Sequence, residues 1–225
     1  MPRSVVLYTS DNVILAIKQR LAEHFAAEKI KPYTCSFAHV SETGARRLRI
    51  TELAPYSLAP ILDDIIAGGQ ALPVSTADKD VSGASYEDIL QGADSFRRNA
   101  VLQFSSPTIL GLGGYCVPFP VLPLMLSHYI HVWGSLAGSK IRRAPELLEH
   151  VRLNNFKVSC VQTERGAGFQ GWIALEMEKG RPEEDIQSFN AILDFAFYCG
   201  TGLYTDEGFG QTRRTEEQIS KGRKR

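Results

Sequence analysis

The sequence predicts an α+β protein in which one order of strands and helices occurs twice. The chain has 225 residues, of which 44% are hydrophobic and 22% charged. This composition is typical of globular domains, and the length suits two domains of about 100 residues each. Segments with alternating apolar residues predict strands, and segments with apolar residues three or four apart predict helices. The resulting order, β-α-β-β-α-β in each half, is that of the ferredoxin-like (RRM-like) fold. We therefore expect tandem ferredoxin-like domains over residues 1–95 and 96–225.

Local signals mark the elements of the first half. A polar cluster at residues 10–12 can cap a helix. The apolar residues that follow recur on one helix face, namely Ile14, Ile17, Leu21 and Phe25. The predicted elements are a strand at 5–8, a helix at 13–28, strands at 31–40 and 47–53, and a helix at 58–66 ended by Gly68 and Gly69. Residues 71–94 are polar and lack periodicity, so we expect a linker or an irregular crossing there and cannot place a final strand.

The second half repeats the pattern and adds a glycine-rich loop and a basic tail. The predicted elements are a strand at 100–104, a helix at 122–136, a hairpin of strands at 156–163 and 169–178, a helix from about 183 to Gly200, and a strand after Gly210. Neither half has the aromatic strands of a typical single-strand-binding RRM. Phe169 and Trp172 lie near the corresponding strand, but at a spacing of three they face opposite sides. The structural alternative for Trp172 is a core or interdomain contact.

Charge and cysteine usage exclude several classes of protein. The chain has 25 basic and 25 acidic residues, so no overall field draws it to nucleic acid or to a membrane. A polyanion site must therefore come from a local cluster of basic residues. The four cysteines match no metal-ligand spacing and predict neither a metal site nor a disulfide framework, and we expect no cofactor. The chain opens without a signal peptide, and prolines and histidines interrupt the apolar stretch 117–133. We expect a cytoplasmic protein with no membrane contact.

A cluster of glycines lies near the C-terminus, at Gly200, Gly202, Gly208 and Gly210. Because glycine costs backbone entropy on folding, such a cluster indicates a close approach of the backbone, for which a phosphate chain is one explanation. Arg213 and Arg214 follow directly and favour a polyanion. The alternative is structural, because Gly200 ends the last helix and a tight turn would follow. The residues alone leave both explanations open.

Several segments occur together in an order that resembles one family. They are residues 104–108 (Phe-Ser-Ser-Pro-Thr), 118–120 (Pro-Phe-Pro), 168–171 (Gly-Phe-Gln-Gly), the glycine cluster, and residues 31–36 (Lys-Pro-Tyr-Thr-Cys-Ser). Over nearly its whole length the chain resembles the CRISPR-associated repeat-processing endoribonucleases of the RAMP superfamily. The resemblance implies tandem ferredoxin-like domains that bind the hairpin of the CRISPR repeat and cut it at its 3′ base without a metal.

One departure from the family lies in the middle of the glycine cluster. Where the family usually has a Lys or Arg, this chain has Asp206 and Glu207 among residues 203–207. This acidic pair weakens contact with a phosphate, unless it points away or Arg213 and Arg214 compensate for it.

Metal-free RNA cleavage needs three groups. One takes the 2′-OH proton, one is a cation that stabilises the developing phosphorane, and one donates a proton to the 5′ leaving oxygen. Histidine suits the proton transfers because its pKa lies near neutrality. The resemblance places a histidine shortly before the Lys-Pro segment, so His24 is the catalytic candidate. Lys31 is the candidate cation, and Tyr33 is expected to orient the site or simply to pack. The alternatives are a boundary role for His24, a strand-edge gatekeeper role for Lys31, and His39 as the base.

The remaining candidates concern metal and RNA. His128 and His131 lie three apart on the predicted helix 122–136; with no third ligand in view, we expect them on the helix surface. The expected RNA-binding residues are Arg142, Arg143, Gly202, Gly208, Gly210, Arg213 and Arg214.

The resemblance thus predicts a metal-independent endoribonuclease that cleaves precursor CRISPR RNA by 2′-OH attack. The alternative is a non-catalytic RNA-binding subunit that caps the 3′ hairpin of the guide RNA in an effector complex. A third hypothesis keeps only the fold, as a protein-binding scaffold. The expected partners are the repeat hairpin and other subunits of a CRISPR effector complex.

Overall fold

The computed structural model describes residues 2–9, 11–36, 39–40, 46–54, 58, 61, 83–138, 140–141 and 144–215. These residues form two antiparallel sheets, each with its own hydrophobic core, and a small separate hairpin. Among them, no helix is both long and apolar enough to cross a membrane.

The first sheet carries one long helix. Its elements are β1 (Arg3–Thr9), α1 (Asp11–His24), β2 (Tyr33–Cys35), β3 (His39–Val40) and β4 (Arg46–Glu52). The strand order is β1-β4-β2, and β3 also pairs with β4, so the predicted strand 31–40 is two short strands. The predicted apolar stripe of α1 is buried against Leu48 and Ile50 of β4. Most of the predicted helix at 58–66 lies outside the described residues.

The second sheet has two helices on one face. Its strands are β5 (Asn99–Thr108), β8 (Val151–Thr163), β9 (Gly166–Met177) and β10 (Thr212–Thr215), in the order β10-β5-β9-β8. The helices are α3 (Leu122–Leu136), at its predicted bounds, and α5 (Glu183–Cys199). The first and third strands of this unit occupy the centre of the sheet, as the β-α-β-β-α-β order requires. The predicted α+β class of tandem ferredoxin-like domains is confirmed.

Three short elements were not anticipated. They are α2 (Tyr86–Gly92), the hairpin of β6 (Leu110–Leu112) and β7 (Tyr115–Val117), and α4 (Ala144–His150). The prediction of a linker over residues 71–94 is wrong where α2 forms. A capping box between Ser85 and Asp88 begins this helix. Tyr86 packs edge-on against Trp133 and donates a hydrogen bond of 2.7 Å to the Leu53 carbonyl. With only two turns, α2 is too short for its periodicity to be read from the sequence.

Candidate nucleic-acid interface

The end of α1 brings two of the predicted catalytic residues to one neighbour, Phe25. His24 is the last residue of α1 and is exposed, and its ring meets the Phe25 ring edge-on with centroids 4.7 Å apart. The Lys31 ammonium donates a hydrogen bond to the Phe25 carbonyl. Phe25 is buried in the first core, so its fixed position also fixes the surroundings of His24 and Lys31. The structure therefore places an imidazole and a cation around the same residue at an exposed helix end.

Tyr33, the third predicted catalytic residue, lies inside the first core. It is 1% exposed, and its ring lies 5.5 Å from the ring of Phe25. Burial raises the pKa of its phenol, and the nearby Cys35, Asp206 and Glu207 raise it further. Tyr33 thus remains neutral and supports the site by packing against Phe25.

The glycine-rich loop, residues 200–210, packs closely against the chain's own backbone. A Cβ atom at Gly202, where φ is +85°, would lie 2.2 Å from the Ile109 carbonyl oxygen. At Gly210, where φ is +65°, a Cβ would lie 2.0 Å from the Thr201 carbonyl oxygen. Gly200 also ends α5 by donating its N–H to the Ala196 carbonyl. The structural explanation of the cluster therefore accounts for these glycines without a ligand, while their role in RNA binding stays a prediction.

Three of the sequence segments that carry the family resemblance meet at this loop. The Gly210 N–H donates to the Pro107 carbonyl at 2.8 Å, and the Ser106 hydroxyl donates to the Gly208 carbonyl at 2.9 Å. A Cβ at Gly168 would lie 2.7 Å from the Thr108 carbonyl oxygen. The Phe-Ser-Ser-Pro-Thr, Gly-Phe-Gln-Gly and glycine segments thus form one packed unit at the end of β5.

The same loop contacts the first sheet and α1. The Cys35 N–H donates to the Thr205 carbonyl at 2.9 Å, and the Gln211 amide donates to the Cys35 carbonyl at 3.1 Å. Lys18 of α1 donates to the Glu207 carbonyl at 2.7 Å, and burial lowers the pKa of this ammonium against the opposing effect of nearby acidic groups. The glycine-rich loop therefore connects the second domain directly to the helix that ends in His24.

The acidic pair in the loop has a partner that the sequence did not suggest. Both carboxylate oxygens of Glu207 accept hydrogen bonds of 2.7 Å from Arg165, which lies in the turn between β8 and β9. The same guanidinium lies 5.1 Å from the centre of the Tyr204 ring. Arg165, and not Arg213 or Arg214, therefore neutralises the Glu207 side chain.

Arg213 and Arg214 point in different directions from β10. Arg213 is exposed and donates twice to the Gln103 side-chain oxygen, at 3.0 and 2.8 Å. Arg214 is half-buried and donates to Asp194 at 3.0 Å and to Asn190 at 2.6 Å, both on α5. Of this predicted RNA-binding pair, Arg213 faces solvent and Arg214 joins β10 to α5.

Several other predicted residues are placed differently or lie outside the description. Arg142, Arg143 and the His39 side chain lie outside the described residues. His131 is exposed, as predicted. The same prediction is wrong for His128, whose Nε2 is buried without a hydrogen-bond partner. Burial lowers the pKa of His128 to about 4. Within the described ranges, no group of three or more His, Cys, Asp and Glu residues is placed to hold a metal ion.

The fold is the tandem ferredoxin-like fold that the family resemblance implied. The sequence profile of the CRISPR-associated endoribonuclease Cas6 matches residues 102–212. This match confirms the resemblance to the CRISPR-associated repeat-processing endoribonucleases that the sequence segments predicted. The family is one of RNA-cleaving enzymes.

Solved structures of similar fold cover almost the whole chain. The Cas6 (TTHA0078) product complex has a TM-score of 0.79 at 20% identity, over 96% of this chain and 99% of the other. A substrate mimic complex of the same protein has a TM-score of 0.76 at 20% identity, over 95% and 99%. Thermus thermophilus Cas6 (TTHB231) has a TM-score of 0.73 at 20% identity, over 96% and 98%. At this identity the likeness establishes the fold. No curated protein sequence matches the chain.

Proposed function

We propose that this protein binds the hairpin of a CRISPR repeat and cleaves precursor CRISPR RNA without a metal. The observation that carries the proposal is the arrangement at the end of α1, where an exposed His24 and the Lys31 ammonium both contact Phe25. The family match and the RNA complexes of the similar Cas6 structures support it.

We keep the domain boundary near residue 95, which separates the two sheets, although α2 packs into the second core.

The chemistry follows from these two side chains. His24 takes the proton from the 2′-OH, whose oxygen attacks the adjacent phosphorus, and the bond to the 5′ oxygen breaks. The proton then passes to the 5′ oxygen, which leaves as a 5′-OH, and the other product ends in a cyclic phosphate. Lys31 lies beside the developing phosphorane and stabilises its negative charge. Tyr33 acts indirectly, because it packs against Phe25 and holds the helix end in place.

The second domain supplies the contacts that hold the hairpin. Arg213 faces solvent, and Arg142, Arg143 and the backbone of the glycine-rich loop complete the proposed surface. Because the loop also bonds to Lys18 of α1, a hairpin bound on the second domain is held in a defined position relative to His24. Precise positioning of this kind accounts for a large share of enzymatic rate enhancement.

The alternative, a non-catalytic subunit that caps the guide-RNA hairpin, has one observation in its favour. Lys31 is already hydrogen-bonded to a backbone carbonyl, and Tyr33 is buried. Of the three predicted catalytic side chains, only His24 is exposed and without a hydrogen bond among the described residues. A rate measurement separates the two functions.

The experiment uses the full-length protein, a chelator, and RNA with the sequence of a CRISPR repeat. We expect a single cut in wild type and a rate that is lower by about two to four orders of magnitude in His24→Ala. His131→Ala, which removes an exposed histidine of α3, is the matched control and should cut at the wild-type rate.

A repeat with a 2′-deoxy nucleotide at the cut site should bind normally and remain intact, because the attacking hydroxyl is missing. Full-rate cutting by His24→Ala would remove its catalytic assignment. Tight, salt-sensitive binding of the repeat by wild type without any cleavage would establish the capping function instead.

A further inference from the structure

Four side chains form one row across the face of the second sheet that lies opposite α3 and α5. Lys157 of β8 pairs with Trp172 of β9, Trp172 with Gln103 of β5, and Gln103 with Arg213 of β10. Residues that are paired directly across antiparallel strands project from the same face. We call these four residues the Trp172 row. The row crosses three strand-to-strand steps, a span of about 14 Å.

Burial identifies the face on which the Trp172 row lies. Leu102 and Phe104, on either side of Gln103, are buried in the core under the helices, as is Ile173 next to Trp172. Because side chains alternate along a strand, Gln103 and Trp172 point away from that core. Trp172 is half-buried, whereas Lys157 and Arg213 are exposed. Trp172 therefore lies outside the core beneath the helices.

The Trp172 row is positively charged although the whole chain is neutral. Arg213 is oriented by its two hydrogen bonds to the Gln103 oxygen. Lys157 has no ion-pair or hydrogen-bond partner among the described residues. Glu176 lies on the same face of β9 as Trp172. Its carboxylate lies 3.5 Å from Arg98, so its charge is balanced locally. No described carboxylate competes for the two cations of the row.

We propose that the Trp172 row binds single-stranded RNA, with a base stacked on the indole of Trp172 and phosphates beside Lys157 and Arg213. An aromatic plane between cations is the combination that single-strand binding uses, because every base has a face that can stack and every nucleotide carries a phosphate. The span of the row suits two or three nucleotides. A hairpin stem does not fit, since its bases are already stacked and paired.

The occupant is the single-stranded flank of the repeat, on the same RNA molecule whose hairpin the protein is proposed to cut. This inference rests on the proposed function only in that the ligand is RNA. The row shares Arg213 with the proposed hairpin surface but does not include the residues around Phe25. Binding at Trp172 and Lys157 is therefore measured separately from cleavage.

The test measures affinity of the full-length protein for three RNAs: the minimal hairpin, the hairpin with a single-stranded flank of about eight nucleotides, and the flank alone. Both hairpin RNAs carry a 2′-deoxy cut site, so that cleavage does not interfere. We expect the flank to strengthen wild-type binding, and Trp172→Ala to weaken binding of the flanked RNA about 5- to 100-fold while leaving the minimal hairpin unchanged. Trp172→Phe keeps an aromatic ring and should retain most of the gain. Trp172→Leu keeps an apolar side chain for folding and should lose it.

Two further readouts and one control sharpen the test. Trp133 is buried and is the only other tryptophan, so quenching of intrinsic fluorescence by the flank reports on Trp172 and should vanish in Trp172→Phe. Lys157→Ala should lower the salt dependence of flank binding by about 0.7 in the slope of log K against log salt. Phe96→Ala removes an aromatic side chain that is 74% exposed elsewhere on the domain and should change nothing.

Three results would overturn the inference. In the first, the flank adds no affinity to wild type. In the second, Trp172→Ala weakens the minimal hairpin as much as the flanked RNA. In the third, the variants bind RNA normally but lose a protein partner, which would make the row a protein-docking face. None of these results depends on whether His24 is catalytic.

Discussion

Replacement of Gly210 by alanine separates the two explanations of the glycine-rich loop. The new Cβ would lie 2.0 Å from the Thr201 carbonyl oxygen, at a residue with φ of +65°. Gly138 is a matched control, because its φ is +69° and a Cβ there would have no atom within 4 Å. Both substitutions place alanine in the left-handed region, which costs about 1–2 kcal/mol. Only Gly210→Ala adds a clash with backbone atoms, which costs about 1–3 kcal/mol more.

We therefore expect Gly138→Ala to lower the free energy of unfolding by about 1–2 kcal/mol and Gly210→Ala by about 2–5 kcal/mol. Urea unfolding of the RNA-free proteins measures the difference. With an m-value of about 2–3 kcal/mol/M, Gly210→Ala should lower the midpoint by about 1 M or more relative to wild type.

Equal midpoints for the two variants would refute this reasoning. If Gly210→Ala unfolds at the control midpoint and loses only RNA affinity, the glycine serves the approach of a ligand and not the packing of the loop. If it is destabilised without RNA, the loop is primarily a structural junction between the two domains.

Two other predictions concern residues whose surroundings the structure revealed. The pKa of His128 falls from 6.5 to about 4 in the folded protein, so the unfolded chain binds more protons between these values and stability falls as pH drops through them. Between pH 7 and pH 5 we expect a loss of about 2 kcal/mol that is absent in His128→Gln, as measured by urea unfolding at each pH. Arg214→Ala should lower stability by about 1–3 kcal/mol because Asn190 and Asp194 lose their donor, whereas Arg213→Ala should leave stability unchanged and weaken RNA binding. A similar unfolding midpoint for the two arginine variants would contradict this division of roles.

Much of the second domain was predictable from local patterns. The helix predicted at 122–136 has those bounds, and β9 covers nearly all of the strand predicted at 169–178. Such signals are strong because each element spans several repeats of its own period. The short elements were missed for the opposite reason: α2 has seven residues, and β6 and β7 have three each.

The candidate site was predictable in part. The family resemblance singled out His24 and Lys31, and the structure brings both to Phe25. The sequence contains no sign that Arg165 would bind Glu207, since the two are 42 residues apart and meet only when the turn of the β8–β9 hairpin reaches the glycine-rich loop. The sequence left Trp172 with a core or interdomain contact as its structural alternative, and only the sheet register shows it in one row with Lys157 and Arg213.

The sequence by itself determined the α+β class, the repeated order of elements, the boundaries of α3 and α5 and the positions of the glycines. These properties depend on residues that are neighbours along the chain, and their periodicity and backbone preferences act locally. Only the tertiary structure decided which charges are neutralised and which remain available to a ligand. Lys18 and Glu207, 189 residues apart, meet because two separately folded sheets pack together. Arg213 and Arg214 have the same side-chain chemistry, but opposite faces of one strand give them different neighbours.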